Sequence, residues 1–223
     1  MPKKKLTKAE RESILLENTK FLRKLLKKRT RIIGIDPGTI ITGLYSSSPE
    51  EGEAITPNPR HHIVRRISII LNHMDKFTDD AHINLHTVAV IEDYAWSRSK
   101  MVQLAELVGA LKVLLFESGI PYFVVAPTTL TKFVLGPSGS PKGGNKKALT
   151  MVEALDRWGI KFSDDNVCDS YCLMKFLQYL KAYIFEEKVE EFSSQNAKIK
   201  RRIHGWEIQM FEDFIVSRGD PIM

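Results

Sequence analysis

Residues 31–46 read Arg-Ile-Ile-Gly-Ile-Asp-Pro-Gly-Thr-Ile-Ile-Thr-Gly-Leu-Tyr-Ser, an apolar run that ends on Asp36 and a second extended run that begins at Ile40. Pro37 and Gly38 lie between the two runs. Proline fixes φ at the first central position of a turn and glycine supplies a positive φ at the second, so the pattern predicts a type II turn between two strands. Asp36 then ends a buried strand, either as a turn former or as a functional carboxylate.

Two further acids could meet this first one. A short apolar run predicts a buried strand that ends at Glu92, and the residues from 165 to 183 predict a helix. Acids in the first turn of a helix, here Asp164 and Asp165, favour the helix dipole and cap free N–H groups. Asp169 lies deeper in the same helix, among apolar residues, and helix capping does not explain it.

Clustered carboxylates indicate a metal site. A carboxylate in apolar surroundings is costly without a partner, and several together repel one another unless a cation binds. Oxygen ligands with no His or Cys nearby suit Mg²⁺ or Mn²⁺. Two such ions ~4 Å apart can hydrolyse a phosphodiester. The hypothesis holds only if folding brings the three acids together.

The rest of the chain alternates between the apolar periodicity of strands and that of helices. Strands interleaved with helices predict an α/β fold with a mixed sheet flanked by helices. Further helices are predicted at 8–28, 60–77, 97–118, 127–133, 146–158 and within 185–223, a further strand at 122–126, and loops at 46–59 and 136–144.

Composition restricts the class of protein. The chain has 223 residues, and no apolar run approaches the ~18 residues of a transmembrane helix, so we expect no membrane association. Cys168 and Cys172 are the only cysteines and lie in one predicted helix, which favours a reducing, cytoplasmic compartment. Residues 1–30 contain eleven Lys and Arg and three Glu, which gives this arm a net charge of +8. The whole chain has a net charge of +6, so the remaining residues have a net charge of −2. Basic arms contact nucleic acid or are simply solvated.

Three motifs resemble a known family. They are Gly-Ile-Asp-Pro-Gly-x-x-x-Thr-Gly at 34–43, Ile-Glu-Asp-Tyr-Ala-Trp at 91–96 and Asp-Asn-x-x-Asp at 165–169. In this order they resemble the acidic motifs of RuvC-type Holliday junction resolvases, most closely the phage-encoded branch. The segments 106–111, 127–136 and 144–147 also resemble that branch.

The resemblance covers roughly residues 31–182. It implies a ribonuclease H-like nuclease domain there, between a basic amphipathic helical arm at 1–30 and a helical C-terminal extension at 183–223. It also implies a homodimer that binds branched DNA and nicks four-way junctions symmetrically, with two Mg²⁺ or Mn²⁺ ions per active site, in the cytoplasm of a host cell. The family's third strand has little room in the loop predicted at 46–59.

The resemblance assigns catalytic and metal-binding roles. Asp36, Glu92 and Asp169 fall on the family's metal-binding acids. Bacterial members place a fourth acid three residues before the last one, where this chain has Asn166. Helix geometry does not decide between Asn166 and its neighbour Asp165. A hard divalent cation prefers a charged carboxylate, so Asp165 is the predicted fourth ligand and Asn166 the neutral alternative.

Predicted DNA contacts follow from charge and from stacking. Lysines could neutralise phosphates and aromatic rings could stack on unpaired bases, although solvated lysines and packed aromatics are equally common. The candidates are Tyr94, Trp96, Arg98, Lys100, Lys132, Lys146 and Lys147.

The sequence is also compatible with two other functions. The same chemistry could act more broadly on flaps and replication forks, because selectivity depends on the dimer and on shape rather than on the acids. Alternatively, the chain could bind junctions without cutting them, for which Asn166 is the indication.

Overall fold

A five-stranded sheet lies at the centre of the computed structural model, which describes residues 6–27, 30–78, 86–93, 101–138, 145–192 and 198–218. In chain order the elements are α1 (Lys8–Leu25), β1 (Thr30–Asp36), β2 (Thr42–Ser47), β3 (Glu50–Ile55), α2 (Ile63–Thr78), β4 (His86–Glu92), α3 (Met101–Glu117), β5 (Tyr122–Val125), α4 (Pro127–Leu135), α5 (Lys146–Trp158), α6 (Asp165–Ile184), β6 (Val189–Phe192), β7 (Lys198–Arg201) and α7 (Gly205–Arg218).

The central sheet has the strand order β3-β2-β1-β4-β5. β1 pairs parallel with β4, and β4 parallel with β5, whereas β2 is antiparallel to both of its neighbours. The predicted α/β fold with a mixed sheet is therefore confirmed. β1, β3, β4 and β5 run in the same direction, so their last residues lie along one side of the sheet, which we call the carboxyl edge.

Alternating side chains build a core on each face of the sheet. Ile33 and Ile35 of β1 pack with α2 and α3 on one face. Ile32 of the same strand packs on the other face with α6, α5 and α7. Helix α6 is buried on nearly all sides, because it lies between the sheet and these outer helices. This explains why Cys168 and Cys172 are fully buried and unbridged.

Two glycines let α6 touch the sheet backbone. A Cβ atom at Gly34 in β1 would overlap the carbonyl oxygen of Ser170, and one at Gly43 in β2 would overlap that of Asn166. Any larger residue at either position must push the helix away from the strands. The first turns of α6 are therefore held over the ends of β1 and β2.

The predicted type II turn after β1 is wrong. Gly38 does not have the positive φ that such a turn requires, and β2 begins at Thr42 rather than at Ile40. The loop instead closes through Thr42, whose Oγ1 donates to the Gly38 carbonyl at 2.8 Å. Glycine is needed at position 38 because a Cβ atom would overlap the carbonyl oxygen of Ile41.

The loop predicted at 46–59 contains an edge strand. β3 pairs with β2 at six successive positions, from Thr42 with Ile55 to Ser47 with Glu50. Its sequence, Glu-Glu-Gly-Glu-Ala-Ile, is polar because it faces solvent along most of its length. The third strand of the sheet was therefore missed because hydrogen bonding to β2, and not local composition, makes it a strand.

The terminal segments pack on the α6 face. Helix α1 begins with a capping box whose N-cap is Thr7, and its Asn18 side chain donates to the Ile215 carbonyl in α7 at 3.0 Å. A helix was predicted in the tail and is found as α7, but the two-stranded sheet of β6 and β7 before it was not. The division of the chain at residues 30 and 183 stays a prediction. None of the described helices is both long and apolar enough to cross a membrane.

Candidate active site: an acidic cluster at the carboxyl edge

Asp36 and Glu92 lie side by side at the carboxyl edge. Ile35 of β1 is paired with Ile91 of the parallel strand β4, so Asp36 and Glu92, the next residues of the two strands, lie at the same level of the sheet. The two carboxyl groups are close enough for each to affect the pKa of the other. They come from positions 56 residues apart, and the parallel pairing alone brings them together.

Asp169 reaches the same place from α6. Asp36 is paired across the hairpin with Gly43, and Gly43 lies directly against the backbone of Asn166 and Val167. One turn further along α6, the charge of Asp169 acts on both Asp36 and Glu92. The register of the hairpin and the glycine contact therefore set the position of the third acid.

The environment raises the pKa of all three acids. Burial is the main cause for Asp36, whose pKa is well above its ordinary value, and the charges of Glu92 and Asp169 add to it. Burial and then the charge of Asp169 raise the pKa of Glu92 to about 7. Burial also raises the pKa of Asp169 to about 6, with a smaller contribution from Asp165. Such values mean that negative charge is poorly compensated within the chain.

These residues fit a hard divalent cation. All their ligand atoms are carboxylate oxygens, and a cation between them would relieve the repulsion that raises their pKa values. Among the described residues, however, no group of three or more His, Cys, Asp or Glu side chains is arranged so that it could hold a metal ion as it stands. Burial and the neighbouring negative charges instead favour a proton on the pair formed by Asp36 and Glu92. A cation would take the place of that proton.

The start of α6 holds the two candidates for the fourth position. Asp164 is the N-cap, and its Oδ1 accepts from the backbone N–H groups of Asn166 and Val167 at 2.8 and 3.1 Å. The Asn166 amide donates to Asp164 as well, at 3.2 Å. Asp165 forms an ion pair with Lys147 and raises the pKa of Asp169. Asp165 is thus electrostatically part of the cluster, whereas the Asn166 amide is part of the helix cap.

Two of the predicted DNA-contacting lysines lie beside the acids. Lys146 and Lys147 begin α5, directly after the N-cap Asn145. Their positive charges lower the pKa of both Glu92 and Asp169 and so act against burial.

The structure places Lys132, another predicted DNA contact, away from the cluster. Lys132 lines a cavity of about 480 Å³ between α4 and α7, together with Trp206 and Phe214. The remaining four, Tyr94, Trp96, Arg98 and Lys100, lie outside the described residues.

The positioning role of Gly34 and Gly43 was missed in the sequence. Both belong to the first acidic motif, but only the structure shows the contacts of their Cα atoms with α6. A glycine inside a predicted strand is itself a signal, because it often marks a close approach by another backbone.

Comparison with known proteins supports the fold. No protein-family model and no curated protein sequence matches the chain. Among solved structures, the chain is similar to Thermus thermophilus RuvC, with a TM-score of 0.53, 15% identity, and coverage of 70% of this chain and 96% of that one. It is also similar to T. thermophilus RuvC in complex with Holliday junction substrate, with a TM-score of 0.51, 15% identity, and coverage of 69% and 94%. The chain therefore has a RuvC-like, ribonuclease H-like fold, as the resemblance implied.

Proposed function

We propose that this chain is a divalent-metal-dependent endonuclease that resolves four-way DNA junctions. One observation carries the proposal. Three carboxylates from β1, β4 and α6 interact electrostatically at one edge of the sheet. Burial raises the pKa of all three, and the charge of Asp169 raises the pKa values of Asp36 and Glu92 further. Structural acids are normally paired, so an unbalanced cluster indicates a site for an outside cation.

Each residue of the cluster has a part in the proposed reaction. Asp36, Glu92 and Asp169 would hold two Mg²⁺ or Mn²⁺ ions, with Asp165 completing the set. Bound ions would stabilise the negative charge that develops as water adds to phosphorus and the P–O bond to the leaving strand breaks. Lys147, which is half exposed, would exchange its pairing with Asp165 for a DNA phosphate.

The proposed substrate is a four-way junction. Support comes from the similarity to RuvC, one structure of which contains Holliday junction substrate. Cutting two opposed strands requires two sites, and hence two copies of the chain. A phage-encoded origin, suggested by the sequence motifs, stays a prediction.

Helix α3 offers a surface for the second copy. Its outward positions 102, 106, 109, 113 and 116 follow the alternating spacing of four and three that is typical of packed helix pairs. Val102, Val113 and Phe116 are 67, 56 and 61% exposed. A Cβ atom at Gly109 would have no described residue within 4 Å, so the middle of this face is open to close approach. We assign the dimer contact to this face.

Cleavage by acid variants tests the proposed chemistry. We expect D36N and D169N to lower the rate of junction cleavage about a thousandfold or more, equivalent to about 4 kcal/mol, while junction binding remains. The matched control is D156N, which removes an exposed carboxylate from α5. Gel analysis of a labelled junction in Mg²⁺ or Mn²⁺ measures the rate. Wild-type cleavage by D36N or D169N would exclude this assignment.

The choice of substrate separates the proposal from the other two functions. A junction, a flap, a fork and a linear duplex are compared at equal concentration. Preferred, symmetric nicking of the junction is expected. Equal rates on flaps and forks would instead show the broader nuclease, and binding without nicks at any concentration of either metal would show the non-cleaving protein.

A charge on α3 tests the dimer. We expect the double variant V113E/F116E to sediment as a monomer and to lose paired nicking, because two carboxylates would lie in an apolar contact. The control is L16E, which places the same charge on an exposed apolar position of α1. A dimer that persists in V113E/F116E would place the contact elsewhere.

A further inference from the structure

A second basic group lies where α2 begins, in a segment to which the sequence motifs assign no function. We call it the α2 basic cluster, and it consists of Arg60, His61, His62, Arg65 and Arg66. From residue 54 to residue 74 the sequence contains no acid at all. The cluster is thus a local concentration of positive charge in the part of the chain that otherwise has a net negative charge.

The sheet register places this cluster at the carboxyl edge. Asp36 is paired with Gly43, and Gly43 is paired on its other side with Ala54. The chain therefore leaves β3 at the same edge as the acids, two strands from Asp36. Neighbouring strands are separated by about 4.8 Å, so the exit from β3 lies about 10 Å from Asp36.

The turn that carries the cluster is fixed by hydrogen bonds. The side-chain Oδ1 of Asn58 accepts from the N–H of Arg60 at 3.0 Å, and its carbonyl accepts from the N–H of His61 at 3.0 Å. Nδ1 of His62 accepts from the N–H of Val64 at 3.4 Å. The charged side chains therefore project from a defined backbone rather than from a free loop.

One contact joins the cluster directly to the acidic site. Nη1 of Arg66 donates to the carbonyl of Thr39 at 3.0 Å, in the loop that follows Asp36. A displacement of this turn would therefore reach the loop beside the first acid.

No described carboxylate neutralises the positive charges of the cluster. None of the five side chains forms an ion pair with a carboxylate within the described ranges. Arg60, His62 and Arg65 are exposed. Nε of Arg66 and Nδ1 of His61 are buried without a hydrogen-bond partner among the described residues. The cluster thus offers both exposed charge and unused hydrogen-bonding capacity, which suits an anion.

The α2 basic cluster and the two lysines of α5 lie on opposite faces of the sheet. Helix α2 packs in the core that contains Ile33 and Ile35, whereas α5 packs in the core that contains Ile32. The acids at the edge are therefore bracketed by positive charge from both faces. Phosphates of one strand of B-DNA recur every 3.4 Å along the helix axis, so about three of them span the 10 Å from Asp36 to the exit of β3.

We infer that the α2 basic cluster binds backbone phosphates of the DNA strand that flanks the cleaved bond, across the sheet edge from Lys146 and Lys147. The identity of the ligand as DNA rests on the proposed function. The contacts are to phosphate, so they add affinity and position the strand without reading its sequence.

Binding without cleavage tests this inference. The variant R60Q/R65Q removes two exposed charges, and its affinity for a labelled four-way junction is measured by fluorescence anisotropy in EDTA across a range of salt. We expect binding about tenfold weaker at low salt, and a slope of log K against log salt that is smaller by about 2, one for each lost phosphate contact.

The matched control removes two exposed charges from the opposite edge of the sheet. Lys76 lies in the last turn of α2, next to Phe77, whose carbonyl accepts from Arg31 near the start of β1. Lys188 lines a cavity with Thr30, the first residue of that strand. We expect K76Q/K188Q to keep the wild-type affinity and salt slope.

The outcomes separate this inference from the proposed function. Equal affinity and equal slope in R60Q/R65Q would overturn the inference, even if the wild-type protein cleaves junctions. A loss of the same size in K76Q/K188Q would also overturn it, because the effect would then be one of net charge. Weaker binding in R60Q/R65Q alone supports the inference even if no cleavage is found.

Discussion

Two groups of buried acids in this molecule have opposite electrostatic environments. At the carboxyl edge, the cations that act on Asp36, Glu92 and Asp169 within the described part of the chain are the two lysines of α5, and the pKa values of all three acids are raised. Between α5, α7 and the sheet of β6 and β7, Glu191 and Glu207 are held by two arginines.

In the arginine-paired group, each of the two carboxylates is paired with both arginines. Arg157 contacts Glu191 and Glu207 at 2.8 and 3.1 Å, and Arg201 contacts the same two at 2.6 and 2.8 Å. The Glu207 side chain is completely buried. Burial acts to raise the pKa of Glu191, but hydrogen bonds from Arg201 and from Arg157 outweigh it and lower that pKa to about 2. Each carboxylate oxygen that enters the interior here has a cationic partner.

The difference distinguishes acids that stabilise the fold from acids that are available to bind a ligand. The arginine-paired group joins the terminal elements to α5 and leaves no charge for a ligand. The edge group retains negative charge that costs stability and is available to a cation. A protein can tolerate such a cost where function requires it.

Removing an arginine should produce the largest effect on stability. In R157A two buried carboxylates lose a partner, so we expect the free energy of unfolding to fall by about 3–5 kcal/mol. Urea denaturation measures it. The control is R202A, which removes an exposed arginine next to the group. A change in R157A no larger than that in R202A would show that the pairing does not support the fold.

The pH dependence of stability should differ in sign between the two groups. The folded pKa of Glu92 is about 7 against an ordinary 4.5, so the metal-free native state keeps a proton that the unfolded chain releases. Stability should therefore fall as pH rises from about 5 to 8, with about 1–3 kcal/mol of the fall due to Glu92. E92Q should lessen this fall but not remove it, because the raised pKa values of Asp36 and Asp169 contribute in the same direction.

Glu191 should show the opposite dependence of stability on pH, in the same series of measurements. Its folded pKa of about 2 lies below the ordinary 4.5, so its contribution is present above about pH 4.5 and is lost as pH falls toward 2. Chemical denaturation of wild type, E92Q and E191Q across pH measures both. An unchanged fall in E92Q at high pH would remove Glu92 as its source.

A divalent cation should act on the edge group alone. At tenfold excess over its dissociation constant, Mg²⁺ or Mn²⁺ should stabilise the native state by about 1.4 kcal/mol and raise Tm by about 2–4 °C. We expect D36N to lose this increase and D156N to keep it. Scanning calorimetry with and without the metal measures it. An equal increase in D36N would place the cation elsewhere.

Most elements could be predicted because their signals are local. The bounds of α5 agree with the prediction at both ends, since Asn145 caps its start and Gly159 adopts a left-handed conformation at its end. Glu92 ends a strand as predicted, because a buried apolar run stops there. The elements that were missed are polar and gain their structure from distant partners. β6 and β7, for example, carry Glu191 and Arg201, whose charges are neutralised across the hairpin and by Arg157 and Glu207.

The sequence by itself determined most of the helices and the strands that end at Asp36 and Glu92, because apolar periodicity, caps and turn formers act over a few positions. It therefore placed Asp36, Glu92 and Asp169 on their elements. Only the tertiary structure decided what those acids meet. Their proximity depends on a parallel strand pairing and on the two glycines under α6. The ion pair of Asp165 depends on the position of Lys147, and the position of the α2 basic cluster depends on the register of β3. Such contacts join residues far apart in the chain, and their energies depend on burial and distance, which no local pattern encodes.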